Sequence, residues 1–77
     1  MGVRSEAFQQ GDVYIDFPQE DVMFHFVKNN GKIFRKFYND PLEDEVQHTS
    51  TLFAEARTYG VTTTAERYAR GGLRPEK

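Results

Sequence analysis

Hydrophobic and polar residues alternate along three consecutive stretches in the first half of the chain. In residues 12–17, apolar side chains occupy every second position, which is the period of a half-buried strand. Residues 22–28 and 32–38 are rich in aromatic and β-branched side chains and flank the pair Asn30-Gly31. This pattern predicts a three-stranded antiparallel β-meander.

The Asn-Gly pair predicts how the last two strands are joined. A two-residue type I′ turn needs positive φ at both central residues, and Asn followed by Gly accepts this most readily. Such a turn places Asn29 opposite Lys32, whereas a three-residue loop with a bulge would assign the strand residues to the two faces differently. In the first register, one face holds Val22, Phe24, Phe26, Ile33, Arg35 and Phe37, and the other holds Met23, His25, Val27, Phe34, Lys36 and Tyr38.

After the hairpin, the spacing of apolar residues changes to that of a helix. Residues 40–43 (Asp-Pro-Leu-Glu) are typical of a helix start, with Asp as N-cap and Pro at the first helical position. Apolar residues then recur at helical spacing up to Gly60, which suits a left-handed helix end. Residues 63–66 (Thr-Thr-Ala-Glu) form a second capping box and predict a short helix that ends at the glycines 71 and 72.

These elements predict an α+β fold, in which a three-stranded antiparallel β-meander is followed by one long and one short α-helix. We expect residues 12–72 to form a single small domain. Residues 1–11 show little periodicity, with Phe8 as their only aromatic residue, and are expected to form a flexible N-terminal arm. Residues 73–77 are expected to form a flexible C-terminal tail.

The composition excludes several kinds of site. The absence of cysteine excludes disulfides, thiolate zinc sites and thiol nucleophiles, and it favours a cytoplasmic protein. No apolar run is long enough to span a bilayer, so we expect no membrane association. Glu45-x-x-His48 has the spacing of a helical metal motif but occurs once, and neither His25 nor the serines have a catalytic context. We therefore expect no metal, no cofactor and no enzymatic activity.

The hairpin carries the strongest indication of function. Its lysines and arginine interleave with aromatic rings, a combination that suits an acidic protein surface with aromatic anchors. We therefore predict a non-enzymatic regulatory protein that binds a protein partner, as an inhibitor, an accessory protein or a homodimer. The face with Phe34 and Tyr38 is expected to be the one that the long helix leaves uncovered. The predicted partner-binding residues are Phe34, Lys36, Tyr38, Lys32 and Arg35.

Nucleic-acid binding is the alternative hypothesis. It would use the basic hairpin or a helix-turn-helix-like unit around Gly60, with Lys28, Arg67 and Arg70 as contacts. Residues 60–62 (Gly-Val-Thr), 67–68 (Arg-Tyr) and 72–75 (Gly-Leu-Arg-Pro) resemble the DNA-reading segment of the MerR-type regulators, which implies DNA binding by this unit. A sequence pI of about 5.6 argues against it, because DNA binders usually carry a clear basic field.

Overall fold

The structure is a computed structural model that describes residues 2–3, 6–40 and 42–70. Its core is one antiparallel sheet of five strands with helices on both sides. A 3-10 turn, Pro18–Glu20, links the first two strands. The helices and strands are α1 Ala7–Gln10, β1 Val13–Phe17, β2 Val22–Val27, β3 Lys32–Phe37, β4 Asp44–Val46, α2 Thr51–Tyr59, β5 Val61–Thr63 and α3 Ala65–Ala69.

The sheet contains the predicted meander and two further strands. Its order is β4-β3-β2-β1-β5, so the meander of β1, β2 and β3 is confirmed and forms the centre. Each edge strand has three residues: β4 pairs with β3, and β5 crosses back to pair with β1. The predicted α+β class is therefore confirmed, whereas the prediction of only three strands was wrong.

The two faces of the hairpin are as predicted, but its turn is not. Val27 pairs with Lys32, so the loop has four residues, and the register differs by two positions from that of a type I′ turn. Because the shift is an even number, every side chain keeps its face. Of Asn30 and Gly31, only Gly31 has a positive φ, of 72°, and its N–H donates to the carbonyl of Val27 at 2.7 Å. The Asn30 side chain accepts a hydrogen bond from the Lys32 N–H at 2.9 Å and stabilises this longer loop.

The long helix begins about ten residues later than the capping pattern predicts. The Asp40 carboxylate does accept a hydrogen bond from the Leu42 N–H at 3.0 Å, but the turn that it closes leads into β4. Residue 41 lies outside the described residues. The actual N-cap is Ser50, whose hydroxyl accepts a hydrogen bond from the Phe53 N–H at 3.3 Å. The segment before it pairs with β3, because edge pairing satisfies its backbone groups and buries part of Val46.

Gly60 ends the long helix, as predicted, but in an extended conformation with φ −79° and ψ −175°. A Cβ atom at this position would lie 2.6 Å from the Ala56 carbonyl oxygen and 2.9 Å from that of Asp16, so only glycine fits there. The chain continues directly into β5, so the described residues contain no helix-turn-helix. The short helix is capped by Thr64, one residue later than the box predicts. Its predicted end at residues 71 and 72 lies outside the described residues.

The hydrophobic core lies between the sheet and α2. We call this side of the sheet the α2 face; Phe53 and Ala56 of α2 pack on it, and the N-terminal segment covers its rim. In that segment, which we expected to be a flexible arm, Phe8 packs edge-on against Phe26 with ring centroids 5.0 Å apart. The predicted tail, 73–77, is outside the described residues. The buried sheet residues of this face are Val13, Ile15, Phe17, Val22, Phe24 and Ile33.

Candidate partner-binding surface

The opposite side of the sheet, which we call the α3 face, is covered only in part. The helix α3 has five residues and packs over β1 and β2. Met23, below it, is fully buried, whereas Val27 and Phe34, near the hairpin end, are half-buried. The side chains of this face are Tyr14, Asp16, Met23, His25, Val27, Lys32, Phe34, Lys36 and Tyr38, with Glu45, Val61 and Thr63 on the edge strands.

A buried carboxylate holds α3 against β1. Asp16 is only 5% exposed, and one of its oxygens accepts a hydrogen bond from Arg67 Nε at 3.0 Å. Its other oxygen accepts a hydrogen bond from the Tyr38 hydroxyl. Burial, followed by the hydrogen bond to Asp16, raises the pKa of Tyr38 to about 12. The same carboxylate raises the pKa of Arg67, so the three groups form a tightly coupled polar cluster.

Lys36 serves as a cap for the end of α3. Its ammonium donates hydrogen bonds at 3.0 Å to the carbonyl oxygens of Tyr68 and Ala69, and it lies 5.2 Å from the centre of the Tyr68 ring. A cation at this position satisfies carbonyl groups that a helix end leaves unpaired and complements the helix dipole. The Tyr68 hydroxyl donates to Glu43 at 2.6 Å, and burial together with this carboxylate raises the pKa of Tyr68.

A cluster of rings connects α3 to the hairpin. Tyr14 stacks on His25 at 4.2 Å, and the Tyr68 ring lies 5.5 Å and 5.4 Å from them. His25 Nε2 also lies 3.0 Å from the Asp12 carboxylate, whose other oxygen accepts from the Lys28 N–H at 3.0 Å. The hydrogen bonds to His25 and Lys28 lower the pKa of Asp12. These contacts explain why a histidine stands in a strand without any catalytic neighbour.

The predicted partner-binding residues fall into three groups. Lys32 is exposed and Phe34 half-buried on the α3 face, where both remain accessible at the hairpin end. The long helix α2 leaves this face uncovered, as expected, but the short helix α3 covers part of it, where Lys36, only 8% exposed, and Tyr38 take part in the contacts that hold α3. Arg35 points to the α2 face, with its guanidinium 5.1 Å from the Phe37 ring centre and 3.5 Å from Asp44. The five residues therefore do not form one patch.

The residues of the alternative hypothesis are also dispersed. Arg67 is paired with Asp16, Lys28 lies at the hairpin loop, and Arg70 is exposed at the end of α3. The resemblance to the MerR-type segment does not extend to the fold, because Val61–Thr63 is a strand where that unit needs a turn. In the part of the chain that the structure describes, nothing forms a DNA-reading helix pair.

The Glu45-x-x-His48 motif does not form a metal site in the described part of the chain. Glu45 lies in β4 and His48 in the following turn, so the helical spacing that would bring them together is absent. His48 Nε2 instead lies 2.8 Å from the Gly31 carbonyl oxygen. Among the described residues, no group of three or more His, Cys, Asp or Glu side chains is arranged so that it could hold a metal ion. In that same part of the chain, no helix is long and apolar enough to cross a membrane.

Over nearly its whole length the chain resembles proteins of one kind. The model of the Tis1 immunity protein family matches residues 1–72. The chain is similar to the immune protein Tis1 of Pseudomonas aeruginosa (strain UCBPP-PA14), with 36% identity over 69 residues that cover 88% of this chain and 90% of the relative. It is also similar to a chain in the crystal structure of the complex between the type VI effector Tas1 and its immunity protein, with 34% identity and a TM-score of 0.84. That match covers 92% of this chain and 95% of the other.

Proposed function

The chain belongs to the Tis1 immunity protein family, and on that premise we propose that it binds a type VI effector related to Tas1 and blocks its action. It acts as an inhibitor through protein–protein contact and catalyses no reaction of its own. We propose further that it does so in the cytoplasm, because a chain without cysteine suits a reducing compartment.

One observation carries this proposal. The solved structure that the chain resembles is a complex of an effector with its immunity protein, and the match covers 92% of this chain and 95% of its counterpart. Because the chain also matches the Tis1 immunity protein family, we take its counterpart in that complex to be the immunity protein. Similarity over a whole small domain, rather than over one motif, supports a shared mode of action.

We propose that the accessible end of the α3 face contributes to the contact with the effector. Val27 and Phe34 offer a half-buried apolar surface there, and Lys32 lies beside them as an exposed cation. Aromatic side chains in such settings carry much of the binding energy of protein interfaces. The hydrogen bonds that hold α3 on the sheet involve Asp16, Lys36 and Tyr38 rather than these two apolar residues.

The experiment is a binding and protection assay. The purified chain is mixed with the Tas1-type effector of its own source organism, and the complex is followed by size-exclusion chromatography and titration calorimetry. We expect an equimolar complex, and we expect co-expression of the chain to restore growth of cells that produce the effector. An unrelated type VI effector is the control and should give neither result. A chain that neither binds its effector nor restores growth would contradict the proposal.

A further inference from the structure

An apolar groove of about 200 Å³ opens on the α2 face, between α1, the hairpin and α2. Its buried floor is made by Ile33 and Phe53. Two half-buried rings, Phe8 and Phe26, line it, and two exposed residues, His48 and Arg57, stand at its rim. The groove lies on the opposite side of the hairpin from Phe34, so it is a separate surface from the one proposed above.

The dimensions of the groove suit one large apolar side chain. A cavity of roughly 150 Å³ lined by Leu, Ile and Phe is enough to hold a benzene molecule. The groove is somewhat larger and has a similar lining. Phe8 and Phe26 meet edge to face with centroids 5.0 Å apart, an arrangement that holds both rings in place without closing the groove.

Arg57 gives the groove a charge that the described residues do not balance. Its guanidinium lies 5.2 Å from the centre of the Phe8 ring and 6.0 Å from that of Phe53. Arg35 and Arg67 each have a carboxylate partner, whereas no ion pair within the described residues includes Arg57. A guanidinium held over aromatic rings keeps its fork of donors available for a carboxylate.

We propose that this groove binds a large apolar side chain of the effector, and that a carboxylate next to that side chain in the effector pairs with Arg57. The inference rests on the proposed function and names the chemistry of one contact within it. An apolar residue beside an acidic one matches the groove both in shape and in charge. Such an anchor in a preformed pocket is typical of the residues that dominate interface energies.

A second copy of the chain fits the same groove less well. Leu42, 73% exposed and followed by Glu43, has the right chemistry, but Glu43 already accepts a hydrogen bond from Tyr68. Insertion of this loop would also join two different patches, and contacts of that kind generate open-ended chains rather than closed dimers. The effector is therefore the occupant to which we commit.

The test reverses the charge at the rim. Arg57→Glu should weaken binding of the full-length effector by about tenfold or more, and Arg57→Lys should weaken it less. Arg70→Glu is the matched control, since it makes the same change of charge at an exposed arginine just after α3 and should alter affinity by less than about threefold. Equal melting temperatures of the three variants and the original chain would show that the fold is intact.

The floor of the groove provides a second measurement. The chain has only two isoleucines, Ile15 and Ile33, and both are buried. In a methyl NMR spectrum of the complex, we expect the Ile33 signal to shift and that of Ile15, which does not line the groove, to serve as the reference. If the effector binds but neither isoleucine signal shifts, and if Arg57→Glu binds it as tightly as the original chain, the groove proposal is wrong. The proposed function would then still stand. If the Ile33 signal shifts with protein concentration in the absence of effector, the groove binds a second copy of the chain and the groove proposal is wrong. If the effector does not bind at all, both the groove proposal and the proposed function are wrong.

Discussion

Arg67 follows Asp16 by 51 residues in the sequence, yet its Nε lies 3.0 Å from the Asp16 carboxylate. The contact joins α3 to β1, and the Asp16 side chain is 8% exposed whereas the Arg67 side chain is 34% exposed. A buried carboxylate needs such partners, because an unpaired charge in the protein interior is costly. The position of α3 on the sheet therefore depends on this pair.

Removal of the guanidinium should destabilise the protein. Arg67→Met leaves Asp16 with one charged donor fewer, and we expect the free energy of unfolding to fall by about 1–3 kcal/mol in urea denaturation. Arg70→Met removes an exposed arginine of the same segment and should change stability by less than about 0.5 kcal/mol. Equal losses in the two variants would show that the pair with Asp16 contributes nothing specific.

The raised pKa of Tyr38 predicts that the protein loses stability at alkaline pH. Its pKa is raised from 10.0 to about 12 in the folded chain, so above pH 10 the unfolded chain releases a proton that the folded chain retains. Stability should therefore fall as the pH rises through this window. The urea midpoint, measured at a series of pH values on either side of 10.0, should fall less steeply in Tyr38→Phe. Parallel curves for the two proteins would be inconsistent with this role.

Gly31 should be sensitive to substitution because of its backbone conformation alone. No atom lies within 4 Å of the position that a Cβ would take, but its φ of 72° is unfavourable for a β-branched residue. We expect Gly31→Val to cost about 1–3 kcal/mol. Gly11 also has open space around it but an extended φ of 161°, so Gly11→Val is the control and should cost little. Similar melting temperatures for both variants would argue against strain at residue 31.

Phe53 should be essential to the core. It is 5% exposed and meets Phe24 edge-on, with ring centroids 5.3 Å apart. Truncation to Ala should cost roughly 3–5 kcal/mol, which is enough to unfold much of a domain this small. Tyr59→Ala, at a site 62% exposed on the same helix, should be nearly neutral when both are compared by circular dichroism. A cooperative, native-like melt of Phe53→Ala would place the centre of the core elsewhere.

Phe34 tests the proposed contact on the α3 face. Because it is half-buried and anchors no helix, Phe34→Ala should weaken binding of the effector by about 1–3 kcal/mol and reduce stability less than Phe53→Ala does. Calorimetry and urea denaturation on the same preparations separate the two effects. Tyr59→Ala again serves as the control for affinity. If Phe34→Ala binds as tightly as the original chain, the effector contacts another surface.

The sequence predicts the centre of the fold because the relevant signals are local. The period of two fixes the faces of the meander, and Gly60 marks the end of α2. The predictions of the turn type and of the helix start were wrong, because the local motifs that fit the expected structures also fit other structures. Asn30-Gly31 suits a loop of four residues as well as one of two, and the cap-like residues 40–43 precede a strand whose pairing with β3 is a tertiary effect.

The polar cluster that positions α3 could not be found from the sequence. Asp16 occupies an outward position of an alternating strand, where an exposed carboxylate is the ordinary expectation. Only the folded chain shows that a helix 51 residues later covers it. The strand β5 did leave a signal, since Val61–Thr63 is a run of three β-branched residues, but a run this short is ambiguous without its partner.

The strand order β4-β3-β2-β1-β5 has a consequence for the synthesis of the protein. The strand β1 is made early, but its outer neighbour β5 emerges from the ribosome only after β2, β3, β4 and α2. Until then, the backbone groups along one edge of β1 have no strand partner, and an unpaired edge favours aggregation. A nascent chain that stops before Gly60 therefore lacks the strand that closes this edge, and the sheet is complete only once residues 61–63 have been made.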